Sequence, residues 1–161
     1  MICGNCDNKP TISTGANQML LYKQRRQAYP FCDLRGTQLI PFTRTLGDYA
    51  AYKQLTLNRD ARLDGKRILA IEIVGTAAAP IVAGVDNIGG VATGWLTLVR
   101  QCGQELEIIQ EIPLPVMDRT ANGNKLYFTD CLPKFGSCYL TFSSGGYGSS
   151  NAVQFNFYVT P

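Results

Sequence analysis

Six cysteines, twelve carboxylates and no histidine set the chemistry open to this chain of 161 residues. Without histidine, no Ser-His-Asp or Cys-His nucleophile can be assembled within the chain. The HExxH zinc hydrolases and His-ligated haem or copper sites fall away for the same reason. Carboxylate, lysine and thiolate chemistry remain, beside the option of no chemistry at all.

Cys3 and Cys6 form a CxxC pair, a spacing at which two thiolates converge on one tetrahedral ion. Cys32 is the candidate third ligand of such a site, and no fourth is evident. The other outcomes are a Cys3–Cys6 or different disulfide, and free thiols. The start, Met1 to Cys6, has no basic and apolar run of a secretion signal, so reduced thiols are the expectation. Cys138, within Ser137-Cys138-Tyr139-Leu140-Thr141-Phe142, reads as a small hydrophobe in a strand.

The carboxylates do not converge. Glu105 and Glu107 share a strand face beside a hairpin turn, where a solvated role is expected, not a glycosidase pair facing across a cleft. Asn58 to Gly65 has the acidic and glycine content of a calcium loop but the wrong register, with Leu63 where the turn glycine belongs. Gly89-Gly90 and Gly145-Gly146 lack the lysine and the strand–loop–helix setting of a phosphate loop. No catalytic residue and no cofactor are therefore expected.

The charge is uneven. Net charge is +3, and residues 1–36 carry all of it, with five bases against two acids. Within Tyr22-Lys23-Gln24-Arg25-Arg26, the bases Lys23, Arg25 and Arg26 are the candidate contacts to an anionic surface or a partner. Residues 1–36 read as an extended basic arm with no sustained period, and residues 37–161 as a neutral domain.

Short strands and turns fill that domain. Thr37–Thr43 reads as a strand that Pro41 confines to an edge. Leu46–Leu57 is open between a short helix capped by Asp48 and a strand from Gln54. Arg67–Val74 is the clearest strand, rich in β-branched residues. Residues 75–94 read as a long, flexible Gly/Ala loop. Gly94–Arg100 and Glu105–Glu111 make a hairpin, Leu126–Phe128 and Cys138–Ser143 are further strands, and Val153–Val159 closes the chain. Ser143–Ser150 reads as a hairpin-like loop. Seven or eight strands without a long helix predict an all-β fold, a single jelly roll or antiparallel β-sandwich.

Three stretches carry a resemblance: Leu55–Leu57 with Leu63–Glu72; Trp95–Val99 with Ile108–Leu114; and Leu132–Phe142. Together they resemble the small jelly-roll virion proteins, penton or minor capsid subunits, of membrane-containing tailless icosahedral bacteriophages. The resemblance covers residues 37–161. It implies an eight-stranded jelly roll that forms a homo-oligomer, a pentamer at the vertices, contacts the major capsid protein and resides in the virion. The arm would then reach the viral membrane or the genome. The alternative is a carbohydrate-binding, lectin-like sandwich, for which Trp95, Tyr127 and Tyr147 are the stacking candidates. Trp95, in an apolar strand, is expected in the core.

Overall fold

A computed structural model describes residues 34, 36–76, 78–89, 92–120, 123 and 126–161. Nine strands lie among them: β1 (Gln38–Thr45), β2 (Leu55–Thr56), β3 (Arg67–Ile73), β4 (Asp86–Asn87), β5 (Gly94–Cys102), β6 (Glu105–Pro113), β7 (Tyr127–Cys131), β8 (Tyr139–Phe142) and β9 (Asn151–Thr160). One helical turn, α1 (Leu114–Met117), follows β6. The ambiguous Leu46–Leu57 stretch resolves as turns leading into β2.

One sheet runs β1-β9-β3-β7 and the other β2-β8-β5-β6. Apart from the β5–β6 hairpin, successive strands of these eight alternate between sheets, which is jelly-roll wiring. Ser143–Ser150 is therefore a crossover between sheets and not a hairpin, because β8 and β9 belong to different layers. β1, which pairs only with β9 among the described residues, forms an edge, the setting in which a strand proline such as Pro41 is tolerated.

Alternation along each strand builds the core. Ile40 and Phe42, Ile71 and Ile73, Leu96 and Leu98, and Phe155, Phe157 and Val159 are all buried between the layers. Phe42, Phe135 and Phe157 meet edge to face, with centroids 5.1 to 6.1 Å apart. Burying a side chain of this size contributes roughly 1.5–3 kcal/mol, so the aromatic cluster is a principal stabiliser. Cys138 is a core hydrophobe, as its strand predicts.

The Gly/Ala loop is pinned in its described part. Gln154, fully buried on the outer face of β9, accepts from Val82 N (3.1 Å) and donates to Val85 O (3.3 Å). Asn87 donates to Val74 O and Gly75 O, and β4 pairs parallel with β9 just beyond the point where β3 stops. Two amides, one buried and one half-buried, thus give an otherwise featureless apolar segment a defined path.

Polar links close both sides of the sandwich. At one side Arg44 Nε donates to Thr56 O (2.6 Å), joining β1 to β2. At the other, Gln110 of β6 donates to the Tyr127 hydroxyl and accepts from Thr129 Oγ1, joining β6 to β7.

Candidate functional site

The outward face of the β2-β8-β5-β6 sheet is organised by register. Thr97 stands between Glu111 on β6 and Tyr139 on β8, and Trp95 between Pro113 and Thr141. Directly paired residues point to the same face, so these side chains form two adjoining rows. Gln54 and Tyr52 approach from the segment before β2. Together they line a cleft of about 250 Å³.

Trp95 is therefore not in the core. It is half-buried and lines this cleft. The reason is the two-residue period: with Leu96 and Leu98 facing inward, Trp95 and Thr97 must face outward. The signal was present in Trp95-Leu96-Thr97-Leu98, where polar Thr97 marks the outer parity.

Tyr49 fixes the rim. Its ring is buried against Phe142, 5.3 Å between centroids. Its hydroxyl accepts from Phe142 N (2.9 Å) and donates to Lys53 O (2.5 Å). Tyr52 N donates to Phe142 O (2.9 Å). These bonds hold Tyr52 at φ 61°, a left-handed conformation that is rare for a bulky residue, with its side chain 70% exposed.

The cleft offers aromatic faces and uncommitted polar groups. Among the described residues, the side chains of Gln54, Thr97, Glu111, Tyr139 and Thr141 form no hydrogen bond. Thr97 is only 1% exposed, so its hydroxyl lies on the floor. Glu111 is the one carboxylate among the described lining residues, and a glycosidase needs two. The arrangement can bind, and it presents no acid–base pair.

A second surface is the side of the sandwich where β6 and β7 meet. β6 has no strand on its outer flank among the described residues. Leu106 (53% exposed) and Ile108 (58%) project from it, and Phe128 and Leu132 are exposed on and just after β7. Four of the eight large hydrophobics exposed on the described residues thus belong to β6, β7 and the residue after β7.

The remaining candidates are structural or lie elsewhere. Glu107 pairs with Arg100 across the hairpin (2.9 Å), and Glu105 is exposed beside the turn. Asp60 and Asp64 pair with Arg62 and Arg59, which hold the Asn58–Gly65 turns. Tyr147 packs on Phe142 and Tyr49, and Tyr127 bonds Gln110, so neither is a free stacking platform. Cys131 and Cys138 are free and buried. Cys102 is disulfide-bonded, contrary to the expectation of reduced thiols; it is half-buried at the end of β5, where the other two are sealed in the core. Cys3, Cys6, Cys32, Lys23, Arg25 and Arg26 lie outside the described residues. No group of three metal-ligating side chains occurs among the described residues, and no helix there is long and apolar enough to cross a membrane.

No family model, curated protein or solved structure matches the chain.

Proposed function

We propose that the chain is a structural subunit of a virus particle, of penton or minor-capsid kind, that assembles through the side formed by β6 and β7. The observation that carries this reading is the exposure of Leu106, Ile108, Phe128 and Leu132 on β6 and at β7, with no strand on the outer flank of nine-residue β6 among the described residues. An exposed edge of this length and character is a template for another chain. The jelly-roll wiring supports the same reading, since this architecture serves capsids, though it serves lectins too and assigns no function alone.

The partner is a second copy of the chain. Two different patches meeting head to tail generate a ring where the rotation closes, and five copies would make a vertex. The major capsid protein would surround the ring. The arm, through Lys23, Arg25 and Arg26, would meet the viral membrane or genome, and the site of action would be the virion.

Light scattering and native mass spectrometry of the full chain test the reading. A closed oligomer is expected for the natural sequence, and a folded monomer for Leu106→Lys/Ile108→Lys. A natural chain that stays monomeric at high micromolar concentration, or a double variant that still assembles, would overturn it.

A further inference from the structure

The cleft on the outer sheet face has no part in the proposed assembly, which uses the other end of β6. Its residues point to a ligand of particular chemistry. Three aromatic side chains, Tyr52, Trp95 and Tyr139, line a small hollow together with an amide, a carboxylate and two threonine hydroxyls. Aromatic rings bind apolar C–H faces and cations. The polar groups decide between these. A quaternary ammonium ion needs the rings and the carboxylate, and would leave Gln54, Thr97 and Thr141 without partners. A sugar ring presents an apolar face to the aromatics and a rim of hydroxyls that both donate and accept. Glu111 accepts, Gln54 does both, and the Thr97 and Thr141 hydroxyls do both.

Two further observations favour a ligand over a bare surface. Thr97 forms the cleft floor, and its hydroxyl, which makes no hydrogen bond among the described residues and is not a buried unpartnered atom, stays open to the cleft. Tyr52 is kept exposed at a positive φ by its N–H bond to Phe142 O of β8 and by the Tyr49 bond to the next residue's Lys53 O, and a strained, solvent-facing aromatic is costly unless its position has a use. The cleft volume of about 250 Å³ lies below the range usual for drug-sized ligands, which limits the occupant to about one ring.

We infer that this cleft is a saccharide-binding site for a single neutral pyranose unit, at a chain end or as part of a longer glycan. Tyr52, Trp95 and Tyr139 would contact the ring face, while Gln54, Thr97 and Glu111 would bond its hydroxyls. A subunit so equipped would carry a glycan-recognition surface as well as an assembly edge.

The chain offers a reporter for the test. Trp95 is its only tryptophan, so intrinsic tryptophan emission reads this cleft alone. The full chain is titrated with glucose, galactose, mannose, fucose, N-acetylglucosamine and N-acetylgalactosamine, and separately with choline. At least one sugar should shift the emission saturably with a dissociation constant on the order of millimolar, as expected for one ring with few contacts. Tyr52→Ala, at an exposed site, should weaken that binding at least tenfold while its circular dichroism stays unchanged. Glu111→Gln, which keeps an acceptor oxygen but loses the charge, should weaken sugar binding, by less than Tyr52→Ala does.

Saturation by choline alone, abolished by Glu111→Gln, would overturn the proposal in favour of a cation cage. A flat response to every sugar would overturn it outright, as would a sugar response unchanged in Tyr52→Ala. None of these results bears on the oligomeric state, so the assembly reading stands or falls separately.

Discussion

Replacing Tyr49 by Phe removes one oxygen and isolates the device that holds the cleft rim. The ring, buried against Phe142 and near Tyr147, has the same shape in the variant, so packing is retained. The hydroxyl's bonds from Phe142 N and to Lys53 O are lost, with a longer one to Phe142 O at 3.4 Å. Phe142 N, at 2.9 Å from the hydroxyl, belongs to a fully buried residue and gains no water in exchange. Leaving such a donor unsatisfied costs about 1–3 kcal/mol. Lys53 O, at 2.5 Å, belongs to an exposed residue and can turn to solvent, so its loss adds at most about 0.5 kcal/mol. The expected cost is therefore about 2 kcal/mol, with the midpoint of urea unfolding reduced and its slope unchanged. Amide exchange at Phe142 should accelerate more than exchange at Leu96, which lies in the same sheet. The reasoning would be refuted by a loss under about 0.5 kcal/mol, or by an unchanged exchange rate at Phe142.

Glu72 and the alkaline limb of stability give two further expectations. The Glu72 carboxylate, 3% exposed on the outer face of β3, accepts from Asn156 Nδ2 (2.9 Å), the Tyr158 hydroxyl (2.9 Å) and Arg119 Nη1 (3.1 Å). Glu72→Ala should cost about 3 kcal/mol in urea unfolding, since it strands these donors. Arg119→Met should also cost about 3 kcal/mol, because it leaves the 3%-exposed Glu72 carboxylate without its cation. Burial, and then the hydrogen bond to Glu72, pushes the Tyr158 hydroxyl up to about 12 from 10.0. Burial raises Tyr127 as well, with Cys131 the smaller cause. Both phenols favour their neutral form in the fold, so their contribution is intact below pH 10 and is lost as the pH rises through each folded value, about 12 for Tyr158. The melting temperature should fall over that interval, and less steeply in Tyr158→Phe.

Much of the scaffold was legible in the chain because its cause is local. Ile71-Glu72-Ile73 and Phe155-Asn156-Phe157 alternate in the two-residue period that a half-buried strand requires. The turn at Gly103 and the edge position forced by Pro41 follow from backbone sterics alone. The absence of histidine closes whole classes of chemistry without any coordinates. The two-sheet wiring was legible only as an architecture, since strand count does not say which strand pairs with which.

Partnership across the sheets was decided by the tertiary structure. Trp95 looked like a core residue because its neighbours are apolar, and the burial of Leu96 and Leu98 between the layers turned it outward, in the parity that polar Thr97 had marked. Ser143–Ser150 looked like a hairpin because it is short and rich in glycine, yet it carries the chain from one layer to the other. Glu72 gave no sign in the sequence of being almost fully buried, for its partners are 47, 84 and 86 residues away. The cleft has the same origin. Tyr52, Trp95, Glu111 and Tyr139 come from four separate segments, and they meet because antiparallel register sets side by side residues that the chain keeps far apart. Local periodicity determines what each strand is, and long-range pairing determines what the strands together present.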